Sequence, residues 1–584
     1  MINLYPLQDM HTLKTRLAGL DEDVVRLLED WHVPGIGIGI VVGDQLLFSG
    51  GFGFRDWQEK LPFTPKTVFP IASNGKLFTA VAAGMLVEEG KLHWDEPICR
   101  SIPSLRFFND ELNNHVSLRD MLSHRTGITR HDMLWYKSDF SLQEKFERIR
   151  YLEPKAPLRG MHIYNNLMYE AVGHLIAQVS GKPWNEFVTE RILEPLEMTS
   201  TVFTIQDMLA RNEYAVPFSY QSETRTFDRD PYYEDRRDPS PAGAICANID
   251  DLSHWMIALM NQGMYQSSPV LPDAVLQATL EPTLALPNTD AQTHGFWELL
   301  NTVAGMGRFT ASYRGYFLTF QGGNIDGFRS QVAVMPRERI GVSVLVIGDA
   351  FGMLPDILTY DIYERLLQLD KTPWSERWLA IQEREKRAKE YSASIAPQKV
   401  PNTSPSHPLI AYTGSYEHPV YGPLHIALRD GNLYLEFRGG DRELIHYHYD
   451  RFDTESGDEK WSVNFRTGAQ GDIDEAVMLV LDEKETVFAR QSKKLDPLLV
   501  EKLRGHYRCE NGESVEIASV DGSLRLSRPS DPETPEERLL HCGALRFRAQ
   551  SFSSMVIEFH FDEQDTLRSL TQTSPLGCSI SVRL

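Results

Sequence analysis

A serine and a lysine three residues apart could together form a nucleophile and its base. They are Ser73 and Lys76, in the stretch IASNGKLFTA (71–80). Residues three apart on a helix share one face, so the lysine amine can reach the serine hydroxyl. A hydroxyl is a weak nucleophile until a neighbouring base takes its proton, and a lysine acts as that base only when its pKa is lowered. The spacing therefore predicts an activated serine at the start of a helix.

The same pair has a plainer interpretation, a serine that caps a helix and a lysine that reaches out to water. Matches to S-x-x-K are expected about once or twice by chance in a chain of this length. The apolar residues on both sides of the pair favour burial of the lysine, and with it the chemical interpretation; they are Phe69, Pro70, Ile71, Leu77 and Phe78.

A tyrosine and an asparagine two residues apart offer a second set of reactive groups. Tyr164 and Asn166 stand in IYNNLMYE (163–170), at the start of a predicted helix. A tyrosine can relay a proton between a nucleophile and a leaving group, and an asparagine amide can orient Lys76 and a substrate carbonyl. A core tyrosine and a turn asparagine are the alternative.

Two consecutive glycines mark a third segment, TFQGGNIDGFRSQVAVMP (319–336). Gly322 and Gly323 have no side chains, so a ligand backbone could approach this strand closely and pair with it as an added strand. A glycine turn between two ordinary strands is the alternative.

The elements around these segments predict one α/β sandwich whose sheet combines strands from both ends of the domain. Apolar runs on either side of Gly43-Asp44 predict a β-hairpin, and helical spacing of apolar residues predicts a helix before it. The other predicted helices cover 77–90, 118–124, 166–180, 184–194, 248–262 and 353–368, and the later strands cover 315–320, 328–335 and 340–348.

Beyond about residue 370 the character of the chain changes. A highly charged helix (374–393) is followed by the Pro- and Ser-rich segment APQKVPNTSPSHP. LHIALRDGNLYL (424–435) then corresponds to VEIASVDGSLRL (515–526), each copy with an Asp-Gly turn between alternating strands. The predicted organisation is a first domain over 1–370, a helix and linker over 371–406, and two small antiparallel barrels or sandwiches over 407–493 and 494–584.

Composition excludes several classes of function. The net charge of −22 argues against nucleic acid as a partner, because phosphates need a basic surface. The five cysteines form no C-x-x-C pair, so neither a zinc site nor a disulfide framework is expected. The N-terminus lacks the basic start and apolar run of a signal peptide, and no apolar stretch reaches the roughly 20 residues of a membrane span. We expect a cytoplasmic protein that needs no cofactor or metal and has no membrane partner.

With these segments in order, the chain resembles the serine β-lactamase-like superfamily, which includes class C β-lactamases, D-amino-acid peptidases, penicillin-binding proteins and related esterases. The branch that it resembles follows S-x-x-K with Y-x-N and then with H-x-G or K-T-G. Supporting phrases in the same order are LRDMLSHRTGI, PAGAICANIDDLSHWM and GGNIDGFRS. The resemblance implies an α/β sandwich of the β-lactamase/transpeptidase type, an antiparallel sheet with flanking helices. The C-terminal repeats resemble the two β-barrel domains of a D-aminopeptidase of this superfamily, which implies two small antiparallel β-barrels.

The resemblance also implies roles for individual residues. Ser73 would be the acylated nucleophile, Lys76 its base and Tyr164 the proton shuttle. The substrate would be bound by Asn166, Gln321, Gly322, Gly323 and Asn324, with the backbone N–H groups of Ser73 and Asn324 forming an oxyanion hole. The implied function is hydrolysis of an amide or ester bond in a small molecule or peptide, by a peptidase (D-amino-acid or small-peptide specific) or an esterase.

The chain departs from the family pattern at Gln321, where relatives have His or Lys. A neutral amide can donate hydrogen bonds but cannot supply a positive charge. This predicts a preference for substrates without a free carboxylate, unless Arg329 or Arg125 supplies the charge. It also leaves a second hypothesis open, a binding or regulatory protein built on a hydrolase fold.

Overall fold

The structure is a computed structural model that divides the chain into two compact units, Met1–Ala396 and Pro397–Leu584. It describes residues 10–233, 237–348, 352–395, 399–454, 461–469, 471–479, 485–491, 497–509, 512–520, 523–529, 531, 534, 536–543, 545–551, 554–562, 564, 566–575 and 577–584.

The described residues of the first unit contain fifteen α-helices: α1 Met10–Arg16, α2 Leu20–Asp30, α3 Gly75–Glu88, α4 Ile98–Ser101, α5 Asp110–His115, α6 Leu118–Leu122, α7 Leu142–Arg148, α8 Asn166–Ser180, α9 Trp184–Val188, α10 Ile205–Leu209, α11 Ile249–Met260, α12 Asp273–Leu280, α13 Thr289–His294, α14 Leu354–Leu367 and α15 Trp374–Ile395. Short 3₁₀-helices span Ala72–Asn74, Asp132–Leu134 and Ile149–Tyr151, and a π-helix spans Thr189–Leu193.

Its strands are β1 Gly35–Val42, β2 Gln45–Asp56, β3 Leu61–Pro62, β4 Phe69–Pro70, β5 Phe218–Gln221, β6 Thr226–Arg229, β7 Cys246–Ala247, β8 Met264–Tyr265, β9 Ser268–Pro269, β10 Leu284–Ala285, β11 Leu299–Ala304, β12 Phe309–Tyr313, β13 Tyr316–Ile325, β14 Phe328–Met335 and β15 Ile340–Ile347. Nine of them form one antiparallel sheet in the order β10-β11-β12-β13-β14-β15-β1-β2-β3.

The sheet joins the two ends of the unit, which confirms the predicted α/β sandwich. β1 lies between β2 and β15, and Gly35 pairs with Ile347 across the junction. The glycines of β1 let neighbouring side chains pack directly on its backbone, since a Cβ at Gly37 would lie 2.4 Å from the Phe63 ring. The predicted hairpin is present, and Gly43 adopts the left-handed φ of 66° that its tight turn requires.

The charged helix α15 belongs to the first unit, whereas the sequence predicted a helix between two domains. Trp374 and Ile381 are buried in the same apolar core as α14 and the sheet. The helix also begins on a buried carboxylate, Glu364 of α14, which accepts hydrogen bonds from Thr372 Oγ1 (2.7 Å) and Trp374 Nε1 (3.2 Å). The compact unit therefore extends through residue 396, whereas the sequence predicted an end near 370. Two buried apolar residues in a highly charged helix are too weak a sequence signal to predict this packing.

The second unit contains two closed eight-stranded barrels, which confirms the β-barrel prediction for the repeats. The first is made of β16 Gly414–His418, β17 Gly422–Arg429, β18 Asn432–Phe437, β19 Gly440–His448, β20 Arg451–Thr454, β21 Ser462–Thr467, β22 Ile473–Leu479 and β23 Glu485–Arg490. After α16 (Pro497–Leu503), the second is made of β24 Gly505–Cys509, β25 Ser514–Val520, β26 Ser523–Ser527, β27 Glu537–Gly543, β28 Arg546–Ala549, β29 Val556–Phe561, β30 Leu567–Ser574 and β31 Gly577–Arg583.

The repeat is visible in corresponding strands of the two barrels. β16 and β24 begin 91 residues apart, at Gly414 and Gly505. The Asp-Gly turn at 430–431 joins β17 to β18 as predicted, with a left-handed φ at both residues, whereas the corresponding turn at 521–522 lies outside the described residues. Arg548 of the second barrel pairs with Asp474 of the first through two hydrogen bonds of 2.7 and 2.5 Å. In the described ranges, no helix combines the length and apolar character needed to cross a bilayer.

We expect Glu364→Ala to lower the free energy of unfolding of the first unit by about 3 kcal/mol, because the change leaves several buried donors without an acceptor. Tyr313 and Thr372 both donate to this carboxylate. Urea titration followed by tryptophan fluorescence measures the effect. The exposed Glu376 of α15 is the control, and its replacement by alanine should change stability by less than about 0.5 kcal/mol. Equal effects of the two substitutions would contradict a structural role for the buried carboxylate.

Candidate active site

Ser73 lies in a tight turn before α3, in the 3₁₀-helix Ala72–Asn74. The preceding residue, Ala72, has a left-handed φ of 47°, a conformation that costs a non-glycine residue about 1–3 kcal/mol and is found at sites where function requires it. The N-cap position of α3 is Asn74 rather than Ser73, and among the described residues the Ser73 hydroxyl contacts the Lys76 amine rather than a helix N–H. The plainer interpretation of Ser73 as a helix cap therefore finds no support in its contacts.

Lys76 is buried and its amine is held in place by two oxygens. The residue is 1% exposed, and Nζ lies 2.9 Å from Ser73 Oγ and 2.8 Å from the carbonyl oxygen of Ala242. A lysine that reached out to water would be exposed, so the alternative for this residue is wrong. The contact that the three-residue spacing predicted is present.

The surroundings of Lys76 lower the pKa of its amine. Burial is the main cause, because the charged form loses its hydration. Tyr164 and Glu170 oppose this shift by favouring the ammonium form, and Arg130 adds to it by charge repulsion. An amine with a lowered pKa can take a proton from the serine that it contacts.

Tyr164 lies two residues before α8 and close to Lys76. The centroid of its ring is 5.0 Å from Lys76 Nζ and 4.2 Å from the ring of His124. His124 is buried, and burial lowers its pKa well below the usual value, so the ring stays neutral. Its Nδ1 accepts a hydrogen bond of 3.0 Å from the backbone N–H of Asn165, which fixes the segment that carries Tyr164.

Asn166 is the first residue of α8 and is also buried. The helix is capped by its neighbour Asn165, whose Oδ1 accepts from the Leu167 N–H at 2.8 Å, so the side chain of Asn166 is not needed as a cap. Among the described residues, Asn166 Oδ1 has no hydrogen-bond partner. A buried acceptor of this kind is available to a substrate N–H group.

The loop 240–243 places the Ala242 carbonyl beside Lys76. It lies between α3 and α8: Thr79 Oγ1 of α3 donates to the Pro241 carbonyl at 2.7 Å, and Gly173 of α8 leaves the space that the Pro241 ring fills. A Cβ at Gly173 would lie 2.0 Å from that ring. Any side chain on α8 at this position would displace the loop.

A buried ion pair anchors the same loop. Glu170 of α8 accepts a hydrogen bond from Lys145 Nζ at 3.1 Å and another from Ser240 Oγ, and both charged residues are at least 95% buried. The loop that orients Lys76 is therefore tied to the helix that carries Tyr164 and Asn166.

β13, the strand with the two glycines, runs past the Ser73 turn. Beyond Phe320, one edge of this strand pairs with no other strand among the described residues. β13 pairs with β12 only from Tyr316 to Phe320, whereas it pairs with β14 as far as Ile325. Gly323 packs on the turn, because a Cβ there would lie 2.2 Å from the Ile71 carbonyl oxygen. Ser330 of β14 donates to that same oxygen at 2.8 Å, which fixes the strand pair against the turn. Gly322 and Asn324, on the opposite face of β13, are exposed.

Gln321 is buried rather than directed into open solvent. It is 7% exposed, and its Nε2 donates to the Gly322 carbonyl at 2.8 Å. It lines a small cavity of about 20 Å³ together with Asn74 and Arg308. Burial lowers the pKa of Arg308 to about 9, and this guanidinium donates to the Leu276 carbonyl and to Thr279.

Neither arginine that could have replaced the missing charge lies at the site. Arg125 Nε contacts the buried carboxylate of Asp120 at 2.5 Å. Arg329 is next to Ser330 on β14, and successive strand residues point to opposite faces. Since Ser330 contacts the Ser73 turn, Arg329 lies on the far face of the sheet, where Gly352 is its neighbour.

A cleft of about 300 Å³ opens beside the Ser73 turn, lined by residues that include Pro70, Gly243 and Asp326. Tyr233, which also lines the cleft, belongs to an aromatic bridge with Trp135 and Tyr136. Tyr136 stacks on Tyr233 with ring centroids 5.3 Å apart, and its hydroxyl donates to Asp326 Oδ2 at 2.6 Å. A volume of this size suits a small substrate or one end of a larger one.

Sequence reasoning missed several groups that this geometry uses. The Ala242 carbonyl belongs to the backbone of an ordinary Ser-Pro-Ala-Gly segment. Every residue has a backbone carbonyl, so the residue types in this segment do not indicate its role. Glu170 carries a signal that could have been used, since a carboxylate on the buried face of an apolar helix needs a partner. Arg130, whose guanidinium carbon lies 5.5 Å from the Tyr164 ring centroid, stands within SHRTGITRHD and was not singled out.

Two family models match this chain. A family model described as Beta-lactamase matches residues 20–360, and one described as a domain of unknown function (DUF3471) matches residues 398–490. The chain is 29% identical over 451 residues to a protein named Unguisins hydrolase ungD from Aspergillus violaceofuscus, covering 71% of this chain and 77% of the relative.

Two solved structures show the same fold. The octameric penicillin-binding protein homologue from Pyrococcus abyssi aligns with a TM-score of 0.53 and 20% identity, over 81% of this chain and 99% of that one. EstCE1, described as a hydrolase with promiscuous acyltransferase activity, aligns with a TM-score of 0.50 and 17% identity, over 61% of this chain and 99% of that one.

The charge of Glu170 should set the acid limit of activity through Lys76. Glu170 raises the pKa of Lys76, so Glu170→Gln should lower it further and leave the amine neutral down to a lower pH. Because the rate falls as Lys76 becomes protonated, the acid limb of kcat/KM for a p-nitrophenyl ester should move to lower pH.

The matched control for this prediction is Glu194→Gln, which removes the same charge from an exposed position. It should leave the acid limb where it is in the unchanged protein. An acid limb that stays in place or moves to higher pH in folded Glu170→Gln protein would contradict the assignment of that limb to Lys76.

Proposed function

The chain belongs to the serine β-lactamase-like family, and on this basis we propose that it is a serine hydrolase that cleaves an amide or ester bond through an acyl-enzyme at Ser73. One observation carries the proposal: a buried lysine amine with a lowered pKa lies 2.9 Å from the hydroxyl of Ser73. The pair has the geometry of a nucleophile and its base. The relative from Aspergillus, named a hydrolase, supports the reaction class.

Acylation would begin when Lys76 takes the proton of Ser73 and Oγ attacks the substrate carbonyl carbon. The carbonyl electron pair moves to oxygen, and the resulting oxyanion would be stabilised by the backbone N–H groups of Ser73 and Asn324. Tyr164, within reach of Lys76, would deliver the proton to the leaving amine or alcohol as the bond to carbon breaks. In deacylation the same groups would take a proton from water, which attacks the ester and releases Ser73.

Substrate binding would use the unpaired edge of β13 and the buried amide of Asn166. An extended peptide can add to a strand edge by backbone hydrogen bonds, and the exposed Gly322 leaves space for its approach. Asn166 Oδ1 would accept a hydrogen bond from an N–H group of the substrate. These features favour a peptide or amide substrate, although the same serine would also cleave an activated ester.

We propose peptidase or amidase activity on small peptides, including D-amino-acid forms, with esterase activity as the other candidate. A panel of p-nitroanilides and p-nitrophenyl esters of L- and D-amino acids separates the two. Preference for one class by kcat/KM under identical conditions assigns the activity.

Ser73→Ala should reduce turnover of the best substrate in this panel by about 10⁴-fold or more, because the nucleophile and its base act as a unit. The protein should stay folded, with a loss of stability of about 1 kcal/mol, because the buried Lys76 amine loses one hydrogen-bond partner while no helix cap is removed. Turnover by stopped assay and unfolding by urea are measured on the same preparation.

Ser141→Ala is the matched control, because Ser141 is a true helix cap whose side chain accepts from the Glu144 N–H. This variant should lose about 1 kcal/mol of stability and keep its turnover. If Ser73→Ala behaves like the control, with lower stability and full activity, the nucleophile is assigned to the wrong residue.

A further inference from the structure

Arg130 places a positive charge directly at Tyr164. Its guanidinium carbon lies 5.5 Å from the centroid of the Tyr164 ring, and Lys76 Nζ lies 5.0 Å from the same centroid. An arginine over an aromatic ring is weakly attracted to the ring face. The position of Arg130 matters more than this attraction, because it brings a positive charge close to Tyr164, one of the residues proposed to carry out the reaction.

The backbone just before Arg130 is hydrogen-bonded to the residue that follows Tyr164. Asn165, which follows Tyr164 in the chain, is fully buried and donates from Nδ2 to the Thr129 carbonyl at 2.6 Å. On the other side, His131 has a left-handed φ of 45°, which turns the chain into the 3₁₀-helix that follows. The Asn165–Thr129 hydrogen bond therefore ties the start of the Arg130 segment to the Tyr164 segment.

A carboxylate fixes the direction of the Arg130 side chain. Asp132 Oδ2 accepts a hydrogen bond from Arg130 Nε at 2.7 Å, and Asp132 Oδ1 accepts another from Trp135 Nε1 at 2.7 Å. Asp132 thus links the guanidinium to the aromatic bridge. It acts as a positioning residue for Arg130.

The outer part of the guanidinium is available to a ligand. Only Nε is engaged: within the described part of the chain, no hydrogen bond involves either terminal nitrogen of Arg130. The side chain is 45% exposed. The two terminal nitrogens form a planar fork of N–H donors, which matches the two oxygens of a carboxylate.

We propose that Arg130 binds a carboxylate of the substrate beside Tyr164, and so performs the task that the neutral Gln321 cannot. The inference rests on the proposed function, because it concerns the substrate of the same site. The sequence predicted a preference for substrates without a free carboxylate unless Arg329 or Arg125 supplied the missing charge. The structure places both of them away from the Ser73 turn and places Arg130 beside it.

Two boronic acids that differ only in charge test the proposal. They are 3-carboxyphenylboronic acid and 3-carbamoylphenylboronic acid. In each, the electron pair of Ser73 Oγ fills the empty orbital of boron and the hydroxyl proton passes to the Lys76–Tyr164 pair. Isothermal titration of the full chain at neutral pH gives both dissociation constants. The unchanged protein should bind the carboxylate about 3- to 5-fold more tightly, the upper part of the range for one partly exposed ion pair.

Arg130→Gln should reduce this preference to less than about 2-fold, and Arg130→Lys should keep part of it because the charge remains. Arg150→Gln, which removes a charge from an exposed helix residue, is the control and should keep the full preference. A preference that survives Arg130→Gln, or equal binding of the two compounds by the unchanged protein, overturns the proposal. Weaker binding of both compounds by the same factor would mean that Arg130 only positions Tyr164, and this also overturns it.

A second measurement separates this proposal from the assignment of the nucleophile. Benzoate and benzamide need no covalent bond, so their binding to Ser73→Ala protein, followed by saturation-transfer NMR, reports the anion site alone. Benzoate should bind to Ser73→Ala and lose its signal in Ser73→Ala/Arg130→Gln. If neither boronic acid binds but benzoate still does so through Arg130, the nucleophile is wrong and the anion site stands. If benzoate does not depend on Arg130, the anion site is wrong.

Discussion

The buried amine of Lys76 is the constraint on which this site depends. An ammonium group in the interior loses its hydration, and hydrogen bonds to Ser73 Oγ and the Ala242 carbonyl, with the nearby Tyr164 and Glu170, make up for only part of that loss. Burial keeps the pKa of Lys76 low, which makes the amine a base. It also requires that both oxygens stay in place, so the turn before α3 and the loop 240–243 must be rigid. The strained φ of Ala72, the Gly173–Pro241 contact and the buried Lys145–Glu170 pair all serve that requirement.

The sequence was sufficient for the parts of this arrangement that depend on local spacing. The contact between Ser73 and Lys76 follows from helical geometry, and the hairpin at Gly43-Asp44 follows from turn chemistry. Closed barrels follow less directly, from a 91-residue repeat and a resemblance. Groups supplied by the backbone or by distant segments could not be found in this way. The Ala242 carbonyl has no residue-type signal, and the burial of Trp374 in the core depends on α14 and the sheet.

The replacement at Gln321 shows why a motif departure must be interpreted in three dimensions. In the sequence, a missing cation suggested either a changed substrate or a lost activity. In the structure, Gln321 is buried against Gly322 and Arg308 lies at the same small cavity, while Arg130 approaches Tyr164 from a different segment. The site therefore has positive charge near its reactive groups without a His or Lys on β13. The charge at an active site depends on residues from several elements, so the residue at one strand position is not enough to predict it.

The central claim is that Ser73 is an activated nucleophile, and covalent labelling tests it most directly. A fluorophosphonate transfers its phosphonyl group to an activated serine, forming an O–P bond and releasing fluoride. Intact mass spectrometry of the full chain after labelling, followed by peptide mapping, gives the number and the place of the adducts. We expect one adduct per chain, on the peptide that contains Ser73, and none when Lys76 is replaced by methionine. An unlabelled chain, or an adduct on any other serine, would contradict this account.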